Sequence, residues 1–217
     1  MSSRERSVLR DWERACRDLA LRDGVLAQLI AEHSGDALRG SGDSFTTLLN
    51  AVVGQQISVA AADGIWGRLE HAFPKLSPRT IAAAAPETLR ELGLSRRKSE
   101  YIIGIARAFG AGELDPQRWE AMSDDEVRAD LTRRRGVGPW TADMVLIFYL
   151  HRPDVLPLGD LGLVNAAARL YRDGELDGAP LRVRQNWLGE FAERWRPWRT
   201  VATWFIWRDL DAEPVVY

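Results

Sequence analysis

The segment Gly136–Gly138 is the pattern in this chain most suggestive of chemistry, because it joins two predicted helices directly after the basic run Arg133–Arg135. Two glycines allow a tight reversal and let backbone approach a ligand without an intervening Cβ. The N–H groups at the start of the following helix favour a phosphate. The segment is therefore either a turn that binds DNA phosphates without regard to base sequence or an ordinary connection between helices. The glycine spacing alone does not distinguish these two interpretations.

Asp160 is the second candidate, and it stands immediately before a predicted helix. The dipole and the N–H groups of a helix N-terminus keep a carboxylate ionised, so this aspartate could act as a fixed negative charge. Aspartate is also a common N-cap with a purely structural role. The residues alone favour the cap, and a catalytic role needs further support.

Apolar residues recur at helical spacing along almost the whole chain. The range 45–53 places them at i, i+3, i+4, i+7 and i+8, and 142–149 repeats part of that pattern. Ser77, which precedes a proline, and Ser123, which forms a capping box with Glu126, mark helix starts. Convincing period-2 alternation is absent, so the sequence predicts an all-α protein.

The expected organisation is two helical lobes. Residues 1–44 supply N-terminal helices that pack with the C-terminal lobe. Residues 45–150 form a central helical bundle, in which 123–150 contains two helices joined by the glycine turn. Residues 151–217 form the C-terminal lobe, which carries Asp160.

Composition and charge narrow the class of protein. The 217 residues are 46% hydrophobic and 28% charged, which is ordinary for a globular protein. No apolar run is long enough to span a membrane, and the charged N-terminus has no apolar core of a secretory signal. The net charge of −2 speaks against a protein that coats nucleic acid, whereas local basic patches remain compatible with DNA binding.

Metal and cofactor sites are not indicated. The single cysteine, Cys16, cannot form an internal disulfide or a four-cysteine cluster. The three histidines have no metal-ligand spacing, and no P-loop is present. The sequence therefore predicts a cytoplasmic protein, nucleoid-associated if bacterial, with no metal and no cofactor.

The segment Leu131–Leu150, LTRRRGVGPWTADMVLIFYL, resembles the helix-hairpin-helix element of the DNA glycosylase superfamily. Phe45–Val59, Leu156–Leu163 and Glu193–Trp207 resemble segments of its 3-methyladenine DNA glycosylase II branch. The four motifs occur in the family's order and cover roughly residues 45–210, which is more specific than any one motif. The resemblance implies an all-α fold of two helical lobes with the active site in the cleft between them.

The resemblance also implies the chemistry. In the family the aspartate shortly after the hairpin's second helix is catalytic, and that residue is Asp160 here. Relatives that cleave the strand carry a Schiff-base lysine two positions after the hairpin's second glycine, where this chain has Trp140. Because no lysine follows Lys98, we expect a monofunctional glycosylase.

The base-binding pocket implied by the resemblance consists of Trp140, Trp207, Met144 and Leu161. Tryptophan faces attract a cationic purine. Met144 and Leu161 stand where the family has tyrosines, so a less aromatic pocket is expected. Core packing is the alternative role for both tryptophans.

The family's plug for the gap left by a flipped base matches the segment that contains Gln55 and Gln56. Gln56 stands where the best-known bacterial member of the family has an apolar wedge, and its amide could hydrogen-bond the orphaned base. A helix-capping turn with incidental glutamines is the alternative. The residues expected at the DNA backbone are Gly136, Val137, Gly138, Thr141, Arg133, Arg134 and Arg135.

The resemblance thus implies a monomeric base-excision repair enzyme that flips alkylated purines from damaged double-stranded DNA and releases 3-methyladenine and 7-methylguanine, without a membrane partner. Two other hypotheses stay open. One is a glycosylase for deaminated or oxidised purines, and the other is a non-catalytic protein that binds damaged DNA through the hairpin.

Overall fold

The computed structural model describes residues 3–40 and 42–210. Within these ranges the chain consists of helices and connecting turns, without a strand, and the all-α prediction is confirmed. The predicted domains also included residues 1, 2, 41 and 211–217, which lie outside the described residues.

The helices follow one another with short connections. In chain order they are α1 (Ser3–Arg22), α2 (Gly24–Glu32), α3 (Ser44–Gly54), α4 (Val59–Ala72), α5 (Pro78–Ala82), α6 (Pro86–Glu91), α7 (Arg96–Gly110), α8 (Pro116–Ala121), α9 (Asp124–Thr132), α10 (Pro139–Phe148), α11 (Leu161–Arg172), α12 (Leu181–Phe191) and α13 (Arg199–Leu210). A 3₁₀ turn at Ala192–Trp195 follows α12.

The described chain divides into two compact units. Residues 40–150 form what we call the central unit, which contains α3 to α10. Residues 3–39 and 151–210 form the terminal unit, in which α13 packs against α1, α2 and α11.

Both helix starts predicted from serines are confirmed. Ser77 accepts a hydrogen bond from the backbone N–H of Thr80, and the Thr80 side chain accepts one from the N–H of Ser77. Ser123 and Glu126 form the same reciprocal pair at the start of α9. Each box satisfies two N–H groups that a helix start otherwise leaves without partners.

The core of the central unit is built around α3. The apolar stripe predicted at 45–53 is buried, and α3 packs on both α7 and α10. Trp119 adds a large buried side chain whose indole N–H donates to Asp130 Oδ2 at 2.9 Å. The stripe therefore holds α10, which carries Trp140, Thr141 and Met144, and α7, which packs behind the hairpin at Gly136.

The core of the terminal unit is built around α13, which is buried along most of its length. Trp12 of α1 packs edge-on against Trp204 of α13, with ring centroids 5.0 Å apart. A helix with apolar residues on all sides is stable only when other helices surround it. This packing places the last residues of α13 beside the start of α11, where Asp160 lies.

Candidate active site

The hairpin between α9 and α10 reverses at Gly136, which has a φ of +90°. A Cβ added there would lie 2.2 Å from Cγ of Tyr101, a residue of α7. Glycine is therefore required for two reasons: the φ is positive, and the Tyr101 ring occupies the space that a side chain would need.

Gly138 serves a different purpose. It is the N-cap of α10 with a φ of −99°, a conformation that any residue can adopt. A Cβ built on Gly138 would meet no other part of the described chain within 4 Å, so open space lies in front of this helix start. The N–H groups of a first helical turn have no acceptors within the helix, and here a phosphate oxygen has room to approach them.

Val137 and Thr141, which the sequence placed at the DNA backbone, turn their side chains inward. Val137 is 6% exposed and Thr141 is 1% exposed. Any contact of these two residues with DNA would therefore come from their backbone atoms.

The three arginines before the hairpin differ from one another. The side chains of Arg133 and Arg135 are 72% and 79% exposed, and their nearest carboxylates are 3.7 and 3.9 Å away. Both guanidinium groups are exposed and both ion pairs are long, so each group can turn to an incoming phosphate. Arg134 is more buried and donates to the carboxylate of Glu113.

Gln55 and Gln56, the predicted wedge, follow α3 and face different surroundings. Gln55 is half-buried, and its amide Nε2 donates to the Gly136 carbonyl at 2.9 Å and to Thr141 Oγ1 at 2.8 Å. Gln56 is exposed and has a φ of +58°, a left-handed conformation that costs a non-glycine residue on the order of 1 kcal/mol. The Gln55 side chain is thus committed to the hairpin, whereas the Gln56 side chain is presented to solvent.

Trp140 and Met144 occupy successive turns of α10. Trp140 is half-buried on the first turn, and Met144 is 1% exposed one turn later. Between them, buried Asp143 pairs with Arg128, with Nε and Oδ1 2.7 Å apart. Burial raises the pKa of Asp143 to about 6, although Arg128 acts in the opposite direction.

Asp160 lies in the terminal unit as the N-cap of α11. Its Oδ1 accepts a hydrogen bond from the Leu163 backbone N–H at 2.7 Å, as an N-cap does. The Trp207 indole N–H reaches the same oxygen at 3.4 Å. The residue is half-buried, so the carboxylate is fixed in orientation and still meets solvent.

Two apolar residues and a glycine surround this carboxylate. Leu161 is 55% exposed, and Leu210 at the end of α13 is 42% exposed. A Cβ on Gly162 would lie 3.2 Å from Asp160 Oδ1 and 3.3 Å from Leu210 Cδ1. The glycine therefore provides the room in which the carboxylate and the leucine approach each other.

Sequence reasoning missed two residues that hold these segments. Gln185 of α12 donates from Nε2 to the Leu158 carbonyl at 2.8 Å and so fixes the turn that leads into Asp160. Lys98 of α7 donates from Nζ to the carbonyls of Val53 and Gln55 at 2.7 and 2.6 Å. Gln185 carries no motif of its own, and the basic run 96–98 that contains Lys98 does not indicate this capping role, so the contacts alone identify both roles.

The predicted site residues fall into two groups. Asp160, Leu161 and Trp207 come together in the terminal unit, and the remainder belong to the central unit, namely Gln55, Gln56, Arg133, Arg134, Arg135, Gly136, Val137, Gly138, Trp140, Thr141 and Met144. Among the described residues, no three His, Cys, Asp or Glu side chains are grouped as a metal ion would require. Every helix described is too short or too polar to pass through a lipid bilayer.

The chain belongs to the HhH-GPD superfamily of base excision DNA repair proteins, which it matches over residues 49–187. The predicted membership of the helix-hairpin-helix glycosylases is thereby confirmed.

Curated relatives define the branch more closely. The DNA-3-methyladenine glycosylase of Bacillus subtilis is 31% identical over 207 residues, which cover 89% of this chain and 66% of the relative. DNA-3-methyladenine glycosylase 1 of Schizosaccharomyces pombe is 32% identical over 190 residues, covering 84% of this chain and 79% of that protein. The chain thus spans about two thirds of the length of the Bacillus relative.

A solved structure agrees with these relatives. The 3-methyladenine DNA glycosylase of Schizosaccharomyces pombe in complex with abasic DNA superposes with a TM-score of 0.78 at 28% identity. The match covers 90% of this chain and 95% of the other.

Proposed function

We propose that this protein is a monofunctional DNA glycosylase, which acts as a monomer on damaged double-stranded DNA in the cytoplasm and hydrolyses the N-glycosidic bond of 3-methyladenine and 7-methylguanine. The observation that carries the proposal is the carboxylate of Asp160, oriented by the Leu163 N–H and the Trp207 indole at an accessible helix start.

Asp160 supplies the negative charge that the reaction needs. As the glycosidic bond breaks, its electron pair leaves with the purine and positive charge develops on the sugar. A fixed carboxylate beside that centre stabilises the charge more in the transition state than in the ground state. A water oxygen then bonds to C1′, and the proton it loses passes to the carboxylate or to solvent.

The substrate's own charge explains why few other groups are needed. A purine methylated at N3 or N7 is cationic and departs neutral, so no strong general acid is required. The faces of Trp140 and Trp207 can attract such a base by cation–π interaction. Leu161, which is 55% exposed, adds apolar surface next to Asp160, whereas Met144 is buried in the core of the central unit.

The chain lacks the nucleophile for strand cleavage. Trp140 stands at the position of the lyase lysine, and the nearest lysine in sequence, Lys98, donates to two backbone carbonyls. Without an amine at the sugar, no Schiff base forms and the abasic strand stays intact.

The candidate residues of the central unit bind the DNA in this proposal. The open start of α10 at Gly138, with Arg133 and Arg135 in solvent nearby, suits phosphates without regard to base sequence. Gln56, exposed on its loop, fills the gap left by the flipped base.

The test incubates the wild type and Asp160→Asn with methylated duplex DNA and quantifies released 3-methyladenine and 7-methylguanine, with strand integrity followed on gels. We expect release by the wild type alone and no strand break before alkali treatment. Duplexes with hypoxanthine or 8-oxoguanine complete the panel. Release of only those bases would replace the proposed substrate, and tight binding to abasic DNA without any release would replace the enzyme by a damage-binding protein.

A further inference from the structure

The loop of residues 55–58 is held at its beginning by Lys98. The last carbonyls of a helix have no partners within it, and α3 ends at Gly54. The ammonium group of Lys98 donates to the carbonyls of Val53 and Gln55 and so caps this end. A positive charge at a helix C-terminus is favourable, and burial lowers the pKa of Lys98.

The same loop is tied to the hairpin by Gln55. Its amide donates to Gly136 O and to the buried Thr141 hydroxyl, which lie on either side of the α10 start. The hydrogen bonds join segments 81 and 86 residues apart. Movement of the hairpin would therefore be transmitted to the loop through one side chain.

Helix α7 contacts both the loop and the hairpin. Lys98 and Tyr101 are three residues apart and lie on neighbouring turns of one face. Lys98 binds the loop, and the Tyr101 ring packs where a Gly136 side chain would be. The loop, the hairpin and α7 thus form a closed set of three contacts, and Gln56 sits in its strained conformation next to them.

We infer that Gln55 and Lys98 are positioning residues, which hold Gln56 in a fixed place relative to the hairpin so that phosphate capture and gap filling occur as one event. The inference rests on the proposed function, because it takes the hairpin as the DNA grip and Gln56 as the gap-filling side chain. Neither residue touches the reacting atoms in this scheme.

The test compares binding to two duplexes of one sequence, one intact and one with a tetrahydrofuran abasic site. Only the abasic duplex has a gap to fill, so the ratio of the two Kd values reports on Gln56. The measurement does not depend on base excision. The variants are Gln55→Leu, Lys98→Met and Lys98→Arg. Gln117→Leu and Lys75→Met, both at exposed positions of the central unit, are the matched controls.

We expect Gln55→Leu and Lys98→Met each to lower the preference for the abasic duplex by about tenfold, the equivalent of one or two lost hydrogen bonds, with affinity for intact DNA within about twofold. Lys98→Arg should restore most of the preference, since a guanidinium can also donate to two carbonyls. Thermal unfolding confirms that each variant is folded, and Gln55→Leu carries the test if Lys98→Met does not fold.

Two results would overturn the inference. One is a folded Gln55→Leu protein with unchanged preference, and the other is an equal loss of affinity for both duplexes, which marks a general DNA contact. A wild type that does not prefer the abasic duplex overturns it as well. If the wild type prefers abasic DNA but releases no methylated purine, the catalytic proposal fails while the positioning inference is still decided by the binding ratio.

Discussion

Asp23 and Asp160 occupy the same kind of position in the terminal unit. Each caps the N-terminus of a helix, α2 or α11, and accepts hydrogen bonds from the first-turn backbone. Each also accepts a hydrogen bond from a tryptophan indole, Asp23 from Trp195 at 2.9 Å and Asp160 from Trp207 at 3.4 Å. Both are aspartates that immediately precede a helix, but their surroundings differ.

Asp23 is buried among donors. It is 7% exposed and accepts hydrogen bonds from the N–H groups of Val25 and Leu26, from Trp195 and from the Tyr171 hydroxyl. Burial raises the pKa of Tyr171, so its hydroxyl stays protonated and donates. This carboxylate joins α2 to α11 and to the 3₁₀ turn, which is a structural role.

Asp160 is half-buried and lies beside the exposed side chains of Leu161 and Leu210. Its orientation is fixed, as that of Asp23 is, but a ligand can reach it. An aspartate cap is therefore a structural element when donors and protein enclose it, and a candidate for chemistry when the same geometry is left open to solvent.

The largest effect on stability is expected for Asp23→Asn. Asparagine can still cap α2, but its single carbonyl oxygen cannot accept hydrogen bonds from all four donors. Its NH₂ group would then point at the hydrogen of the indole or of the hydroxyl, so a donor would face a donor. We expect the free energy of unfolding to fall by about 3 kcal/mol in urea denaturation at neutral pH. Asp177→Asn in an exposed loop is the control, and equal midpoints for the two variants would contradict a structural role for Asp23.

The next effect concerns the buried pair in the central unit. Because the pKa of Asp143 is raised from 3.8 to about 6, the folded protein binds this proton more tightly than the unfolded chain. Its contribution to stability is present below pH 3.8 and is lost as the pH rises through about 6. Relative to Asp143→Asn, the wild type should lose up to about 3 kcal/mol between pH 3.5 and 7.5.

Urea denaturation of both proteins across this range checks the prediction, and the difference between them removes the titration of all other groups. Arg128 pairs with the ionised carboxylate and reduces the effect without reversing it. A difference that stays constant, or that grows in favour of the wild type with rising pH, would contradict it.

The smallest effect is expected for Trp207→Phe, which keeps an aromatic ring next to Asp160 and removes the N–H that faces its carboxylate. The long hydrogen bond of 3.4 Å predicts a modest loss of excision rate, about fivefold, with little change in unfolding temperature. Trp187→Phe on α12 is the matched control. A wild-type rate for Trp207→Phe would mean that the indole N–H does not help to position the carboxylate.

Local signals explain how much of the fold was predictable. The stripe at 45–53 and the pairing of Ser123 with Glu126 act over one or two helical turns, so spacing in the sequence identifies them. The role of Gly136 was also accessible, because a hairpin between helices needs a positive φ.

Contacts between distant segments explain what was missed. Gln55 reaches a carbonyl 81 residues away, and Gln185 reaches one 27 residues away, so no spacing rule connects them. The exposed fraction of a side chain could not be predicted from the sequence either. Leu161 and Met144 were assigned to one pocket, yet they are 55% and 1% exposed because their helices pack against different neighbours. The proposed catalytic role of Asp160 rests on the family resemblance, since its capping position alone matches that of Asp23.

The most direct test of the role of Asp160 is the single-turnover excision of 7-methylguanine by the wild type, Asp160→Asn and Asp23→Asn, with the folded fraction of each measured under the assay conditions. We predict a loss of excision rate of about a thousandfold for Asp160→Asn in a stably folded protein. For Asp23→Asn we predict a rate per folded molecule within about twofold of the wild type, because this substitution lowers the free energy of unfolding and leaves the active site intact. Equal rates for the wild type and Asp160→Asn would contradict the assignment of the chemistry to this carboxylate.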